Sequence, residues 1–382
     1  MRKTNLLYVI TKLELGGAQK QLLSLARHLD KNKFNVFIFT ARRGPLIQQA
    51  AAIPHVTLKT SSVLERTINP LRDILALFEI YAFIRKNSID LVHTHSSKAG
   101  ILGRLAGRLA GTKMILHTVH GWSFHDCQHP LTRRLFIWLE RLAAKISHKI
   151  IVVSEHDKVK GVINGIGKEN QYALIRYGIN YADFSRRNGA IRKEFAIQND
   201  DLVVTNVSCF KPQKACLDFV RLAFLVNRIF PAAKFILAGD GRMRGKIEKA
   251  INRFRLRDKF ILTGWRQDIP EILSATDVFI LTSLWEGLPI AALEALASSR
   301  PVIATDTGGI REVIKEGDNG FLISVKDMRA MKDKLMLLLQ DKTLREAMGE
   351  KGLSHLGSDF TQEKMVNRSQ ELYEGLISCR EN

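Results

Sequence analysis

The chain has 382 residues, of which 46% are hydrophobic and 25% are charged. This balance is typical of soluble globular domains and excludes a disordered or fibrous chain, and the length suffices for two or three domains. The formal net charge of +20 is uneven: residues 1–183 hold 27 Lys and Arg against 12 Asp and Glu, whereas residues 184–382 hold 31 against 26. The first half is therefore expected to meet an anionic partner, such as nucleic acid, an anionic membrane or a phosphorylated substrate.

Neither a membrane span nor a secretion signal is expected. No apolar run approaches the ~18 residues that a membrane span needs. The apolar run near the start ends at Thr11-Lys12, which favours a first buried strand over a signal peptide. The four cysteines are widely separated and form no CxxC pair, so we expect a reducing compartment and no disulfide framework. We therefore expect a cytoplasmic protein.

Short apolar runs alternate with longer segments of helical period in the first half. The predicted strands are Asn5–Thr11, Asn35–Thr40, Asp90–His95, Lys113–Val119 and Lys149–Ser154. The predicted helices are Gly17–Leu29, Asn69–Asn87, Ser97–Ala110 and Leu131–Ile146. Asn69 is a suitable N-cap and Pro70 a suitable first residue for the second of these helices. The alternation predicts a parallel sheet with helices on both faces.

A polar, turn-rich stretch near Tyr177–Gly189 predicts a linker that acts as a hinge. A second α/β series follows it. Its predicted strands are Leu202–Ser208, Lys234–Ala238, Phe260–Leu262, Val278–Leu281 and Val302–Thr305. Its predicted helices are Cys216–Phe230, Met243–Phe254, Pro289–Ser298, Asp327–Leu339, Lys342–His355 and Thr361–Ile377. Two α/β units joined once imply a cleft, and ligands bind beyond the carboxyl ends of such strands.

The loop and helix after the strand Val278–Leu281 carry the strongest chemical signal. Pro289 opens this helix, so the backbone N–H groups of Gly287–Ile290 are expected to be free to hold a phosphate. Glu286 lies in the loop, and Glu294 lies more than one turn into the helix. Each carboxylate can accept two or more hydrogen bonds from hydroxyl groups, which suits a hydroxyl-rich ligand. The alternative is a solvated loop glutamate and an ordinary helix glutamate.

The segment Glu286–Glu294 resembles the E-x7-E signature of the retaining, family 4 type nucleotide-sugar glycosyltransferases. Thr11–Ala18 resembles the first glycine loop of that family, Ala238–Gly241 its GDG turn, and Pro301–Ile314 its PVxATxxGGxxE block. The resemblance covers nearly the whole chain. It implies the GT-B fold, in which two Rossmann-like α/β domains face each other across a cleft, and this agrees with the alternation of strands and helices.

The resemblance also implies how the chain is divided. Residues 1–183 would form the N-terminal acceptor-binding domain, and residues 184–360 the C-terminal domain that binds the nucleotide-sugar. Residues 361–382 would form a helix that crosses back to the N-terminal domain. No cofactor is expected, because the nucleotide-sugar is a substrate and this fold usually works without a metal.

The resemblance assigns three catalytic residues, Glu286, His120 and Lys214. The residues that it assigns to the donor are Gly16, Gly17, Lys211, Lys214, Trp265, Gly287, Leu288, Pro289, Ile290 and Glu294. Lys211 and Lys214 would clamp the donor diphosphate and offset the charge that develops on the leaving group. The family usually has Arg at the place of Lys211 and Gly at the place of Ala215. The Lys211 ammonium, which acts as a point charge, therefore stands where the family usually has a guanidinium that can form two parallel hydrogen bonds.

Several histidines lie near the end of the predicted strands of the first half. Thr118–Gly121 resembles the His-Gly motif of the family, whose histidine, here His120, would contact the donor sugar. His93 and His95 alternate along one strand and share a face, so a metal site must be considered. No carboxylate or thiolate lies at convincing ligand spacing, so we expect no metal. A structural or acceptor-contacting role is preferred for His95.

Together with these features, the resemblance implies a retaining enzyme that moves a hexose or an N-acetylhexosamine from a nucleoside-diphosphate sugar. A UDP-sugar is the expected donor because it is common in this family. No residue stands out as a covalent nucleophile, so front-face displacement is expected. A nucleotide-sugar epimerase of the same fold and an inactive structural member are alternatives. A basic nucleic-acid binder is a further alternative, although no RNA-binding signature is present.

The acceptor is predicted to be lipid-linked or a polysaccharide precursor, met at the inner face of an anionic membrane. The residues assigned to this side are His95, Lys98, Arg104, Arg134 and Arg141. On the helix Leu131–Ile146 the cations Arg134, Arg141 and Lys145 lie beside an apolar stripe, as on an interfacial helix. That stripe consists of Leu131, Leu135, Trp138 and Leu142. The segment His95–Arg104 looks like a stretch common in bacterial family members that build glycans on polyprenyl diphosphate. The alternative is a helix that simply packs on a sheet.

Overall fold

The computed structural model describes residues 2–125, 128–185 and 189–378. These residues form two compact units. The first runs to Gly178 and also contains the last helix, and the second runs from Ile179 to Thr361. The stretch predicted as a linker and hinge includes Arg186–Asn188, which lie outside the described residues. The helices of the described ranges are all too short or too polar to cross a membrane.

The first unit is built on a sheet of seven parallel strands. The strands are β1 (Thr4–Ile10), β2 (Phe34–Ala41), β3 (Val56–Ser61), β4 (Leu91–His95), β5 (Met114–Val119), β6 (Lys149–Val152) and β7 (Tyr172–Leu174). Their spatial order is β3-β2-β1-β4-β5-β6-β7. The order reverses between β1 and β4, so the carboxyl ends of these two strands flank the point at which ligands bind in open α/β sheets.

Helices cover both sides of this sheet. They are α1 (Gly17–His28), α2 (Ile47–Ala51), α3 (Pro70–Lys86), α4 (Ser97–Leu109), α5 (Pro130–Lys145) and α6 (Glu155–Ile163). Right-handed crossovers place α1 and α2 on one side and α3 to α6 on the other. Successive residues of β1 show the division, because Tyr8 packs in the layer of α1 whereas Leu7 and Val9 pack in the layer of α3 and α4.

The second unit has six parallel strands in the order β10-β9-β8-β11-β12-β13. They are β8 (Leu202–Val207), β9 (Ala233–Ala238), β10 (Phe260–Gly264), β11 (Val278–Leu281), β12 (Val302–Thr305) and β13 (Gly320–Ile323). The helices are α7 (Ala190–Glu194), α8 (Cys216–Asn227), α9 (Arg244–Arg253), α10 (Ile269–Ser274), α11 (Ile290–Ala297), α12 (Met328–Gln340) and α13 (Lys342–Leu356). The last helix, α14 (Gln362–Ser378), belongs to the first unit, where Met365, Val366 and Tyr373 join the core beside α1.

The prediction of two Rossmann-like α/β units is confirmed. The start of α3 is also as predicted, because the Asn69 side chain accepts a hydrogen bond from the Arg72 N–H and Pro70 occupies the first turn. The sequence analysis missed the strands β3, β7 and β13 and the short helices α2, α6, α7 and α10.

Candidate functional site

Two loops of the second unit meet at the carboxyl ends of the adjacent strands β8 and β11. The first contains Lys211 and Lys214, and the second leads to Glu286. The Leu284 N–H donates to the Gln213 carbonyl at 2.7 Å, and the Gln213 side-chain amide donates back to the Trp285 carbonyl at 2.8 Å. These reciprocal bonds fix the predicted diphosphate-binding loop against the loop that carries the predicted catalytic carboxylate.

Lys214 and Glu286 form an ion pair between these loops. The Lys214 Nζ lies 2.5 Å from the Glu286 Oε1, and the two side chains are 22% and 9% exposed. Thr282 supports the lysine, because its hydroxyl donates to the Lys214 carbonyl at 2.9 Å. The sequence analysis predicted both residues to be catalytic, and the structure brings them into direct contact.

A third loop, after β12, packs on the backbone of Glu286. The Gly309 N–H donates to the Gly287 carbonyl at 2.7 Å, and Gly308 has a φ of +62°. A Cβ on Gly308 would lie 2.1 Å from the Glu286 carbonyl oxygen, which no side chain could tolerate. Glycine is therefore required here for close backbone approach. The glycines of the PVxATxxGGxxE-like block thus position Glu286.

Helix α11 begins directly after the Glu286 loop. Its cap residue is Pro289, which offers no side-chain acceptor. The first N–H groups of a helix have no partner within it, so the amides at this end of α11 are available to an anion, although Pro289 itself has no N–H. Glu294 lies one turn into α11 and is only 7% exposed. The structure thus places both glutamates of the E-x7-E motif, and the amides between them, on one loop and helix.

Two further predicted donor residues follow the strands β8 and β10 of the same sheet. Lys211 is half-buried and directly precedes the short turn Pro212–Lys214. Trp265 follows β10 and is 43% exposed. The next residue, Arg266, forms ion pairs with Glu194 and Asp268, each at 2.6 Å. This paired guanidinium lowers the pKa of Asp268, and the pairs hold the Trp265 loop on the second unit.

Ala215 adopts a left-handed conformation, with φ +44° and ψ +42°, at the N-terminus of α8. Alanine pays a steric cost in this region, whereas glycine does not. This geometry gives a physical reason for the glycine that the family usually has here. The departure noted from the sequence therefore lies at a strained turn next to Lys214.

Buried histidines line the carboxyl ends of β4 and β5 in the first unit. The His95 Nδ1 lies 2.8 Å from the His120 Nε2, and the His120 Nδ1 lies 2.6 Å from the Tyr177 hydroxyl. Both ring nitrogens of His120 are therefore engaged within the first unit. His93 is also bonded at both nitrogens, to the Tyr373 hydroxyl at 2.7 Å and to the Thr118 hydroxyl at 2.6 Å.

These histidines are held neutral. Desolvation lowers the pKa of His93 and His120 to about 3, and it also lowers the pKa of His95 and His117. Among the described residues, no group of three His, Cys, Asp or Glu side chains has metal-binding geometry. The nitrogens of His93, which the sequence analysis considered as a chelator with His95, are instead bonded to hydroxyl groups.

Gly16 and Gly17 lie at the N-terminus of α1, as the sequence predicted. Gly16 is the cap residue, and a Cβ there would lie 2.6 Å from the Gln19 side-chain oxygen. The neighbouring Thr11 hydroxyl bonds to the Ser96 hydroxyl at 2.8 Å. The glycine loop after β1 is thereby joined to the N-terminus of α4, next to His95.

Two cations that the sequence analysis assigned to the membrane-facing surface are withdrawn from it, Arg104 completely and Lys98 largely. Arg104 is fully buried, and its guanidinium forms an ion pair with Glu140 at 2.7 Å. The prediction that Arg104 adds charge to a membrane-facing surface is therefore wrong, because α5 covers its side chain. Lys98 is 13% exposed and pairs with Asp73 at 2.5 Å. Arg134 and Arg141 are exposed on α5.

Comparison with known families identifies both units. The glycosyl transferases group 1 family matches residues 188–355, and glycosyltransferase family 4 matches residues 15–160. The chain is also 30% identical over 375 residues to the UDP-Gal:alpha-D-GlcNAc-diphosphoundecaprenol alpha-1,3-galactosyltransferase of Escherichia coli, with 95% of each chain covered. This chain is a family 4 glycosyltransferase. It is also 26% identical to the N-acetyl-alpha-D-glucosaminyl L-malate synthase of Bacillus anthracis, with 82% of each chain covered.

Similarity to solved structures establishes the fold class of this glycosyltransferase. HepE of Anabaena, in complex with UDP and glucose, matches with a TM-score of 0.85 and 18% identity over 97% of this chain and 99% of that one. The lipopolysaccharide outer core galactosyltransferase WaaB matches with a TM-score of 0.69 and 14% identity, over 97% and 99%. These similarities show the GT-B fold, as the sequence predicted.

The sequence analysis missed the residues that hold the glycosyltransferase's predicted site residues in place. Tyr177 and Tyr373 bond to the histidines from 57 and 280 residues away along the chain, respectively. No local pattern signals such partners. Thr282 directly follows the end of β11, however, and strand ends in this fold are where site residues gather.

Proposed function

We propose that this glycosyltransferase transfers a hexosyl or N-acetylhexosaminyl group from a UDP-sugar to a lipid-linked acceptor, with retention at the anomeric carbon. The observation that carries the proposal is the Lys214–Glu286 ion pair at the N-terminus of α11. It provides a cation for the diphosphate and a carboxylate for the sugar within one loop cluster. The E. coli relative uses UDP-Gal and a diphosphoundecaprenol-linked GlcNAc by its name, and this supports both the donor and the acceptor.

Each site residue has a role in the proposed reaction. Lys211, Lys214 and the first amides of α11 bind the diphosphate and offset the charge that grows on it. Glu294 accepts hydrogen bonds from the ribose hydroxyls. Glu286 accepts hydrogen bonds from the sugar and balances positive charge at the anomeric carbon. His120 keeps its proposed contact with the donor sugar, and both of its ring nitrogens are bonded within the first unit.

The proposed chemistry is a front-face displacement. The bond between the anomeric carbon and the diphosphate oxygen breaks, and the acceptor oxygen bonds to the same face of that carbon. The acceptor proton passes to the departing diphosphate. The protein contributes positioning and electrostatic stabilisation, and no covalent intermediate forms on it.

The test is a transfer assay with purified protein. UDP-galactose, UDP-glucose, UDP-N-acetylglucosamine and GDP-mannose are each offered with a synthetic GlcNAc-diphosphate lipid. Mass spectrometry detects the product, and NMR reads its anomeric configuration. We expect one UDP-sugar to give a retained linkage. Inversion, or transfer from no donor, would contradict the proposal. Interconversion of free UDP-sugars without an acceptor would favour the epimerase.

Glu286→Gln is the diagnostic variant for this assay. The change keeps shape and removes the charge, so we expect turnover to fall about 10²–10³-fold. The matched control is Glu346→Gln, because Glu346 is an exposed carboxylate on α13 of the same unit. Turnover of Glu286→Gln close to that of the control would remove Glu286 from the mechanism.

A further inference from the structure

The exposed apolar side chains of the first unit lie on one side of its sheet. In the part of the chain that the structure describes, every large apolar residue exposed in this unit lies on α3, α4, α5 or α6, or just before α3. None lies on α1, α2 or α14. We call the outward surfaces of α3, α4, α5 and α6 the α3–α6 face.

On α3 the exposed residues form a single stripe. They are Leu71, Ile74, Leu75 and Phe78, which are 51–76% exposed and follow the spacing of one helix face. The opposite side of α3 already buries Ala76, Ile80 and Ile84 in the core. The outward stripe is therefore additional to what packing against the sheet requires.

Helix α5 repeats the arrangement with the residues that the sequence singled out. Leu131, Leu135, Trp138 and Leu142 are 41–67% exposed, so this stripe does not pack on the sheet. Helix α4 lies between α3 and α5 and exposes Leu105 and Leu109. Helix α6 continues the surface with Val159 and Ile163. Single exposed apolar residues are ordinary, but exposed apolar stripes repeated on four helices of one side of the sheet indicate an interaction site.

The charge of the first unit is concentrated on the same side. The helices α3 to α6 contain twelve Lys and Arg against five Asp and Glu, whereas α1, α2 and α14 contain four against three. Four of the twelve form ion pairs: Arg104 with Glu140, Lys98 with Asp73, Arg72 with Glu65 and Lys158 with Glu169. Exposed cations remain on the same helices, among them Arg108, Arg134 and Lys145.

We propose that the α3–α6 face docks on an anionic lipid bilayer. Apolar side chains would enter the boundary between headgroups and acyl chains, while the cations contact anionic headgroups. A second copy of the chain fits less well, because a two-fold contact would place this basic surface against itself. The inference rests on the proposed lipid-linked acceptor and specifies where the enzyme meets the bilayer that holds it.

The position of the face agrees with delivery of such an acceptor. The N-termini of α4 and α5 follow the carboxyl ends of β4 and β5, where His95 and His120 lie. Leu71 and Leu131, near the N-termini of α3 and α5, are therefore at the same edge of the sheet as the histidines. A bilayer held on the α3–α6 face would present headgroups at the acceptor side of the site.

The test is co-sedimentation of the full chain with vesicles. Vesicles of phosphatidylcholine alone are compared with vesicles that also contain phosphatidylglycerol, at low and at high salt. We expect binding to rise with phosphatidylglycerol and to fall with salt, since the screening length shrinks from about 10 Å at 0.1 M to about 3 Å at 1 M. Trp138 fluorescence should be quenched by brominated acyl chains, and Trp138→Phe should lose that quenching.

Two sets of variants identify the surface. Neutralising Arg108, Arg134 and Lys145 to Gln should weaken binding about a hundredfold, because each cation near an anionic surface contributes roughly a factor of five. The matched control neutralises three exposed cations of α9 in the second unit to Gln, namely Lys246, Lys249 and Arg253. This control should bind like the parent.

The apolar contribution has its own matched pair. Phe78→Ser with Trp138→Ser should weaken binding about tenfold or more. Ile229→Ser with Leu337→Ser, which are exposed apolar residues of the second unit, should not. Equal binding of the two double variants, no vesicle binding at low salt, or a stable dimer that hides Trp138 from brominated lipid would each overturn the proposal.

Failure of the docking surface is distinguishable from failure of the proposed reaction. A short-chain, water-soluble GlcNAc-diphosphate acceptor reports transfer without a bilayer. We expect the Arg108, Arg134 and Lys145 variant to act normally on this acceptor and poorly on acceptor embedded in phosphatidylglycerol vesicles. Equal rates of the parent and the variant on embedded acceptor would overturn docking even if the reaction itself is confirmed.

Discussion

The ion pair between Arg104 of α4 and Glu140 of α5 gives a direct test of how the basic half is organised. The guanidinium Nη2 lies 2.7 Å from the Glu140 Oε2, and the side chains are 1% and 4% exposed. The Arg104 Nε also donates to the Gly100 carbonyl at 2.8 Å. Glu140→Ala would leave the guanidinium buried without its counter-charge.

The expected cost follows from that burial. Removing one partner of a buried ion pair costs about 3–5 kcal/mol, because the other charge stays desolvated. Since 1 kcal/mol shifts the melting temperature of a domain of this size by about 2–4 °C, Glu140→Ala should lower it by roughly 6–20 °C. Arg104→Met with Glu140→Leu removes both charges and should restore most of the loss.

A surface pair on the same unit provides the control. The Arg72 Nη1 lies 2.6 Å from the Glu65 Oε1, but the side chains are 50% and 46% exposed. Glu65→Ala should therefore cost less than about 1 kcal/mol. The assay is thermal and urea unfolding followed by circular dichroism. If Glu140→Ala costs no more than Glu65→Ala, Arg104 is not buried in solution and its assignment to the surface would stand.

Three further predictions concern the donor loop, its strained turn and the histidines. Lys214→Ala should weaken UDP affinity in a salt-dependent way. Glu294→Ala should also weaken UDP affinity, because it removes the acceptor of the ribose hydroxyls. Unchanged UDP affinity of both variants in calorimetry would refute the assignment. Ala215→Gly relieves a left-handed alanine and should raise the unfolding free energy by about 0.5–1 kcal/mol; a loss of stability would contradict this. The pKa of His93 and of His120 is about 3 in the fold and about 6.5 in the unfolded chain. As the pH falls below 6.5, these histidines are protonated only in the unfolded chain, so the fold becomes less stable. The cost is about 2 kcal/mol per histidine at pH 5, so a melting temperature equal at pH 7 and pH 5 would oppose it.

The alternation of apolar runs and amphipathic segments was enough to predict both sheets. The strands β11 and β12 have the predicted bounds, because each is a short, fully buried run between turns. β3 was missed, since its sequence Val56–Ser61 alternates with polar residues, as an edge strand allows, and has no long apolar run. α6 was missed because it has only nine residues and mixed polarity.

The candidate site could be predicted only where its residues are close in sequence. Glu286, the α11 amides and Glu294 belong to one motif, and the structure keeps them on one loop and helix. Arg104 could not be placed, because the residue that buries its charge, Glu140, lies 36 positions away on another helix. Helical periodicity showed which residues of α5 share a stripe. It did not show which stripe faces the sheet, because that depends on how α5 packs against α4.

The Lys214–Glu286 pair leads to a last prediction, in which one variant changes two affinities in opposite directions. Without donor, each charge is the partner of the other at 2.5 Å. If the diphosphate takes Lys214, as proposed, the 9% exposed Glu286 side chain loses its counter-charge unless a sugar supplies hydroxyl donors. Loss of this ion pair therefore opposes the binding of UDP alone, and the hydroxyl groups of a UDP-sugar offset that loss.

Glu286→Gln removes this cost, because a neutral amide needs no counter-charge. We expect the variant to bind UDP at least as tightly as the parent and to bind the UDP-sugar more weakly, so the ratio of the two affinities should fall about tenfold or more. Isothermal calorimetry with UDP and with the UDP-sugar identified in the transfer assay measures both. A variant that weakens UDP and UDP-sugar by the same factor would show that Glu286 only shapes the loop. A change of the ratio shows that the carboxylate is passed from the lysine to the sugar when the donor binds.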